Sequence, residues 1–183
     1  MKALMLNDTN RKLHEELGIP SDYGHKGGLP YYPEARDLVD VGPNLVGRMQ
    51  RLTPDTAYRW QQMVESASAA GVRLLIVSGF RSFEYQAGLI RNKVAAGQSI
   101  DEILKVNAAP GFSQHHTGAA VDIATPGSRP LTEEFEDSDA FRWLTENAID
   151  FGFSMTYPRC NPWGFVYEPW HWARNSAISP ESR

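Results

Sequence analysis

A largely apolar run at residues 72–77 most constrains the fold, because its length and its β-branched residues predict a buried strand. Before it, apolar residues recur at helical spacing from Pro54 until Gly71 ends the pattern. After it, Ser82 is placed to cap another helix, which we expect to continue to about Gly97. A buried strand between two helices requires a domain in which helices pack against a sheet.

The remaining sequence predicts further short helices and strands. In chain order these are a helix over 8–17, a loop over 21–33, a short helix with Ser99 and Glu102 as a capping box, a strand over 119–124, a helix over 138–150 with Phe141, Leu144 and Ile149 facing the core, and closing strands over 151–157 and 163–167. The pattern predicts an α+β fold with helices on one side of a mainly antiparallel sheet. We expect a single domain over residues 1–183, with an accessory helix and loop segment in 1–50 and the core in 51–175.

Composition excludes several classes of protein. The 183 residues are 42% hydrophobic, which suits one compact core, and a net charge of −4 without a basic run argues against nucleic acid as a partner. Cys160 is the single cysteine, so it has no internal disulfide partner, and we expect it to be a small buried side chain. The apolar stretch at residues 3–6 is too short for a signal peptide, and no apolar run is long enough to span a bilayer, so the location of the protein stays open.

Side chains that bind metal ions are concentrated in two short segments of the chain. The first contains the neighbours His115 and His116 and then Asp122, and the second contains Glu168 and His171. Two imidazoles and one carboxylate are sufficient for a catalytic zinc ion, which needs three protein ligands and an open position for water. A further carboxylate beside the metal suits the general base that peptide hydrolysis requires. Strand alternation cannot choose between the two neighbouring histidines, because a glycine turns the chain before the aspartate.

The motifs Ser-x-His-x-x-Gly-x-x-x-Asp and Glu-x-x-His, with Ser-Gly-Phe-Arg-Ser at 78–82, resemble the VanY-like D-alanyl-D-alanine carboxypeptidases, which are related in fold to the lysostaphin and hedgehog domains. The resemblance covers roughly residues 74–174 and implies a zinc cleft with one zinc ion per chain. It implies that His115, Asp122 and His171 bind zinc, that Glu168 and Arg81 are catalytic, and that Arg81, Gln86 and Ser113 contact the substrate. The first forty or so residues find no counterpart in it, and Ala173 stands where many relatives bring an arginine closer to the last ligand.

Several of these residues also have simpler interpretations. His116 suits a supporting or surface position, and we expect His14 and His25 to be solvated. A planar guanidinium at Arg81 suits a C-terminal carboxylate or an oxyanion, because its fork can donate two parallel hydrogen bonds, but it would also suit a structural ion pair. The tryptophans between 163 and 172 indicate either an aromatic wall or core packing.

These residues and the resemblance predict a zinc-dependent carboxypeptidase that removes a C-terminal D-Ala from peptidoglycan stem peptides or muropeptides. Whether the enzyme would be D,D- or L,D-specific stays open. One alternative is an endolysin-like endopeptidase that cuts inside the stem, for example between L-Ala and D-Glu. Another is a metal-binding recognition domain without turnover, against which the presence of Glu168 argues.

Overall fold

The computed structural model describes residues 8–25 and 28–174, so the apolar stretch at 3–6 lies outside the described residues. The helices and strands are α1 (Asp8–Leu17), β1 (Val39–Pro43), β2 (Met49–Leu52), α2 (Pro54–Ala69), β3 (Leu75–Ser78), α3 (Phe83–Ala95), α4 (Ile100–Ile103), β4 (Ala120–Ala124), α5 (Asp139–Asn147), β5 (Phe153–Met155) and β6 (His171–Arg174). Short 3₁₀ turns cover Gln114–Thr117, Glu133–Asp137 and Ala148–Phe151. Over 8–25 and 28–174, no helix is long and apolar enough to cross a membrane.

Strands β3, β4, β6 and β5 form a four-stranded sheet in that order, and every neighbouring pair is antiparallel. The predicted α+β fold with a mainly antiparallel sheet is confirmed. Strands β1 and β2 form a separate antiparallel hairpin. This hairpin lies in a segment for which the sequence analysis predicts no strand.

The sheet has an apolar face and a polar face. Val121 and Ile123 of β4 and Trp172 of β6 belong to a core cluster that also contains residues of α2 and α5. Side chains alternate across a strand, so Asp122 and His171 point to the opposite face, where the register places them directly across from each other. The same strands therefore supply both the core and the candidate site.

A second apolar cluster joins the N-terminal helix to the rest of the domain. Leu13 and Leu17 of α1 pack in it with Ile90 of α3 and with residues of α4. The prediction that His14 is solvated is wrong, because α1 lies against the domain: the ring is buried, and its Nε2 lies 2.8 Å from the carbonyl oxygen of Pro110. The N-terminal segment thus contacts the loop that leads to the candidate metal ligands.

The prediction of a closing strand over 163–167 is wrong. Pro162 has no N–H to donate, and Gly164 turns the chain with a φ of 75°. The N–H of Val166 donates to a loop carbonyl after α4 at 3.0 Å rather than to a sheet neighbour. The strand that completes the sheet is instead His171–Arg174, which pairs with β4 and β5.

Two single-residue predictions also differ from the structure. Ile149 is 58% exposed, because α5 ends at Asn147 and the 3₁₀ turn that follows changes the helical periodicity. Cys160 is exposed rather than buried, and it lies in a turn with a φ of 60°.

Strand β2 runs close beside the segment that follows β3. The N–H of Phe80 donates to the carbonyl oxygen of Arg51 at 2.8 Å, and the N–H of Gly79 donates to Oε1 of Gln50 at 3.0 Å. A Cβ placed on Gly79 would lie 2.7 Å from the Arg51 carbonyl oxygen. Glycine is therefore needed here for close approach of two backbones rather than for an unusual φ.

We expect Gly79→Ala to lower the free energy of unfolding by about 1 to 3 kcal/mol, the usual cost of overpacking. Gly88→Ala is the matched control: it lies in α3, and an added Cβ would meet nothing within 4 Å. That change should raise stability by about 0.5 to 1 kcal/mol, because alanine loses less entropy in a helix. Urea unfolding of both variants is the measurement, and equal effects would contradict the role of Gly79.

Candidate metal and catalytic site

A 3₁₀ turn, rather than a strand, presents the first pair of histidines. Ser113 caps this turn, and its hydroxyl accepts from the N–H of His115 at 3.3 Å. Gly118 ends the turn with a φ of 64°. The turn directs the His115 side chain toward Asp122 and the His116 side chain toward the carbonyl oxygen of Arg81. Its geometry therefore distinguishes the two neighbouring histidines, which strand alternation cannot do.

His115, Asp122 and His171 come together as one buried group. The Nε2 atom of His115 lies 3.2 Å from Oδ1 of Asp122, and Nδ1 of His171 lies 3.0 Å from the same oxygen. One candidate ligand atom from each residue lies within 4.8 Å of the other two. The structure thus gathers the three residues that the family resemblance implies as zinc ligands.

The partners on the far side of each imidazole determine which nitrogen faces the group. Nδ1 of His115 lies 2.7 Å from the carbonyl oxygen of Gly79, and Nε2 of His171 lies 2.8 Å from Oε1 of Gln114. Both partners are acceptors, so these nitrogens carry the protons. Lone pairs on Nε2 of His115 and Nδ1 of His171 then face a carboxylate of Asp122. Such a donor set fits a metal ion, because only a cation satisfies three lone pairs that face one point.

Electrostatics keep Asp122 ionised and His115 neutral. Burial alone would raise the pKa of Asp122, but its contacts with His115, Arg81 and His171 outweigh it and hold that pKa well below its ordinary range. Burial, with the positive charge of Arg81, lowers the pKa of His115 to about 4. A neutral imidazole and an ionised carboxylate are the forms that bind metals.

Glu168 lies in the same cleft as the three candidate ligands. Burial and the negative charge of Asp122 raise the pKa of Glu168 to about 8, which suits a group that takes up and releases a proton near neutral pH. Its backbone N–H donates to the carbonyl oxygen of Tyr157 at 3.0 Å. Burial and the charge of Glu168 raise the pKa of Tyr157 well above its usual range, so the phenol stays protonated as a hydrogen-bond donor.

Arg81 forms a structural ion pair, as its simpler interpretation predicts. Its partner is Asp122, a candidate metal ligand. One guanidinium nitrogen donates to Oδ2 of Asp122, and Nε donates to the hydroxyl of Ser78 at 2.8 Å. The side chain also lines the cleft. Arg81 can therefore form its ion pair with Asp122 and also contact a molecule bound in the cleft.

The cleft has a volume of about 190 Å³, and both Gln86 and Ser113 line it. The amide nitrogen of Gln86 donates to the carbonyl oxygen of Ala108 at 2.8 Å, while its buried Oε1 has no hydrogen-bond partner in 8–25 and 28–174. Lys93 also lines the cleft, and its ammonium group donates to Oδ1 of Asn107 at 2.5 Å. These residues thus line the same cleft as Arg81.

His116 and the tryptophans support the site from outside the ligand group. Nδ1 of His116 lies 2.7 Å from the carbonyl oxygen of Arg81, and its Nε2 accepts from the N–H of Gly111 at 3.1 Å. Trp170 and Trp172 both belong to the buried core cluster, and Trp170 also lines the cleft. Trp170 therefore fits both tryptophan interpretations, whereas Trp172 fits core packing.

Three residues of this site have no role predicted from the sequence. Gln114 orients His171, Tyr157 places its phenol in the cleft, and Lys93 adds a cation. The signal for Lys93 is its spacing: it follows Gln86 by seven residues in α3, which puts both on one helix face. Gln114 and Tyr157 have no such local signal, because their part in the site depends on contacts between segments distant in sequence.

The sequence profile of the VanY family, described as D-alanyl-D-alanine carboxypeptidase, matches residues 49–174. The chain belongs to this family. It is 31% identical over 150 residues to YodJ, a carboxypeptidase homologue of Bacillus subtilis, covering 78% of this chain and 55% of that protein. It is 34% identical over 122 residues to a D-alanyl-D-alanine carboxypeptidase of Enterococcus faecalis, covering 61% and 44%. The chain thus spans about half the length of these curated VanY-family relatives.

Solved VanY-family structures share the fold. The LD-carboxypeptidase LdcB superposes with a TM-score of 0.69 at 30% identity, covering 79% of this chain and 72% of LdcB. VanYB in complex with D-alanine-D-alanine gives a TM-score of 0.63 at 28% identity, covering 82% and 87%. A mutant of the vancomycin-resistance D,D-pentapeptidase VanY in complex with Zn(II) gives 0.59 at 30% identity, covering 79% of each chain.

We expect His115→Ala, Asp122→Ala and His171→Ala each to lose most zinc binding, because each removes one donor from the group. His116→Ala is the matched control and should retain the metal, since neither of its ring nitrogens faces the group. Metal content after dialysis against trace zinc is the measurement, with circular dichroism to confirm folding. Loss of zinc in the His116 variant together with retention in the His115 variant would reverse this assignment.

Proposed function

We propose that this chain is a zinc-dependent carboxypeptidase that releases D-Ala from the C-terminus of peptidoglycan stem peptides, with one zinc ion per chain. The observation that carries the proposal is the presence of a buried group of two histidines and an aspartate in the same cleft as Glu168. The VanY-family relatives support it, because one is a complex with Zn(II) and another a complex with D-alanine-D-alanine.

His115, Asp122 and His171 would hold the zinc ion, and three protein ligands are the usual set of a catalytic zinc site. When bound, zinc supplies Lewis acidity, which polarises a carbonyl group and lowers the pKa of a water molecule to about 7. The protein holds the imidazoles in the required tautomers through Gly79 and Gln114. The ligand geometry therefore does not depend on the substrate.

Glu168 acts as the proton carrier. Its carboxylate accepts a proton from the attacking water as the oxygen bonds to the scissile carbonyl carbon. It then donates this proton to the leaving nitrogen as the carbon–nitrogen bond breaks. Its position in the same cleft as the candidate metal ligands suits both halves of this transfer.

Arg81 stabilises the negative charge that develops on the substrate oxygen. Its guanidinium is already oriented by Asp122 and Ser78, so little reorganisation is needed when the charge appears. Its pairing with a metal ligand places the guanidinium near the reacting bond and favours this role over binding the C-terminal carboxylate. Removal of one such donor typically costs about 2.7 to 4 kcal/mol in activation free energy.

Lys93 adds a positive charge to the cleft that suits the leaving residue, and its hydrogen bond runs to a neutral amide, Asn107. Gln86 and Ser113 add polar groups to the same cleft. We assign the free carboxylate of the substrate to Lys93, with Gln86 and Ser113 in contact with the terminal residue. A cation for the terminal carboxylate favours cleavage of the last peptide bond over cleavage within the stem.

We further propose that residues 51–175 form the peptidase core and that 1–50 act as an accessory segment within a single domain. Two backbone contacts support a bracing role for the accessory segment. The N–H of Tyr32 donates to the carbonyl oxygen of Gly111 at 2.7 Å, and the N–H of Ala35 donates to that of His116 at 2.8 Å. These contacts hold the loop that carries the first metal ligand.

Glu168→Gln should bind zinc normally and lose activity by about 10²- to 10⁴-fold, because the amide retains the shape but cannot accept a proton. Glu146→Gln, an exposed position on α5, is the matched control and should keep full activity. Release of D-Ala from pentapeptide and tetrapeptide stems, followed by mass spectrometry, is the measurement. Near-normal turnover by the Glu168 variant would remove this residue from the mechanism, and products cut inside the stem would identify an endopeptidase.

Lys93→Met should reduce the preference for a free C-terminal carboxylate. The protein should cleave the free acid well and the C-terminal amide poorly, and the variant should lose about tenfold or more on the acid only, in line with the loss of a charge-assisted hydrogen bond. Lys105→Met, an exposed lysine outside the cleft, is the matched control. The measurement is kcat/KM for both peptides, and an unchanged acid-to-amide ratio would exclude Lys93 from carboxylate binding.

A further inference from the structure

A second cleft of about 350 Å³ lies beside the metal cleft. Arg81 and Leu131 line both clefts, so the two meet at these side chains. The walls of the second cleft come from the β1–β2 hairpin, from the segment after β3 and from the start of α3. A molecule that extends from the metal ligands past Arg81 would enter it.

The second cleft is strongly basic on a protein whose net charge is −4. Three arginines, Arg48, Arg51 and Arg81, line it, and its lining contains no aspartate or glutamate. Arg81 is neutralised by Asp122. In 8–25 and 28–174 no carboxylate forms a salt bridge with the other two, so their charge is not compensated by this part of the chain.

Aromatic rings orient both uncompensated arginines. The guanidinium of Arg48 donates to the hydroxyl of Tyr85 at 2.7 Å and lies 5.2 Å from the centre of that ring. The guanidinium of Arg51 lies 5.5 Å from the centre of the Phe80 ring. Contact with an aromatic face restricts the motion of a guanidinium. Its N–H groups can still donate to a ligand in the plane of the guanidinium.

The backbone that carries these arginines is attached to the site itself. Asn44, in the turn of the hairpin, joins it to β3: its Nδ2 donates to the carbonyl oxygen of Val77 at 3.0 Å, and its Oδ1 accepts from the N–H of Arg48 at 3.0 Å. The carbonyl oxygen of Arg51 accepts from the segment whose Gly79 carbonyl orients a metal ligand. The backbone of both arginines is therefore tied to the segments that carry the candidate site.

We propose that the second cleft binds a carboxylate of the substrate peptide on the acyl side of the scissile bond, through Arg48 and Arg51. The inference rests on the proposed function, because it takes the reacting bond to lie at the metal ligands. A guanidinium fork matches a carboxylate with two parallel hydrogen bonds. In a stem peptide such a group is offered by the free carboxylate of D-Glu or by the side-chain carboxylate of diaminopimelate.

Matched peptides test the proposal and separate the two carboxylates. Stem peptides ending in D-Ala are prepared with D-Glu as the free acid or as its amide, and with lysine or diaminopimelate at the next position. The zinc-loaded protein is compared with Arg48→Gln, Arg51→Gln and the double variant. Arg73→Gln, which removes an exposed arginine outside both clefts, is the matched control.

We expect each single change to raise KM for the recognised acid by about 3- to 5-fold, with kcat nearly constant, because these side chains are exposed and solvent screens their charge. The matched peptide that lacks the recognised carboxylate should respond to neither change, and Arg73→Gln should leave KM unchanged for every peptide. Added salt should reduce the preference for the acid. The pair of peptides that shows this difference identifies which carboxylate is bound.

Equal losses on both members of each pair, D-Glu acid and amide as well as diaminopimelate and lysine, or no loss with any peptide, would overturn the proposal. If the unmutated protein cleaves none of the peptides, the proposed function fails first, and calorimetric binding of the same two pairs decides the second cleft separately. Tighter binding of the peptide with the extra carboxylate in either pair, lost in the double variant, would then support the cleft as a carboxylate site. Equal binding within both pairs would overturn it.

Discussion

The antiparallel pairing of β4 with β6 is the constraint on which the rest of the structure depends. It places Asp122 directly opposite His171, although the two residues are far apart in the chain. Because side chains alternate along a strand, the same pairing turns Val121 and Trp172 into the apolar core. A slip of one residue would exchange the two faces, so the core and the candidate site are specified by one register.

Around this pairing, the charges are arranged in an order that suits hydrolysis. Asp122 is held ionised among two imidazoles and a guanidinium, whereas Glu168, a short distance along the cleft, has its pKa raised to about 8. Two carboxyl groups in one cleft thus differ in their proton affinity, because one is paired with a guanidinium and the other is buried beside a negative charge. Such a difference suits a metal ligand that stays ionised and a separate group that exchanges protons.

Much of this arrangement is predictable from the sequence. The helix that begins at Pro54, the strand before Ser78 and the capping box at Ser99 are local patterns, and each is present in the structure. The final strand is not predictable in the same way, because the aromatic segment before it resembles a strand until Pro162 and Gly164 are weighed. Within the candidate site, short motifs group the metal-binding residues, but the contact of Gln114 with His171 joins segments 57 residues apart and has no local signature.

The two imidazoles of the candidate metal site differ in how they are held. His115 is oriented by a main-chain carbonyl, that of Gly79, whereas His171 is oriented by the side chain of Gln114. A single codon change can delete an amide side chain, but no codon change deletes a main-chain carbonyl. Substitution of Gly79 would leave the carbonyl that orients His115, as long as the backbone keeps its position. Substitution of Gln114 would remove the group that orients His171. If related sequences differ in the affinity of this site for its metal, we expect the residue at position 114 to be a main cause of the difference.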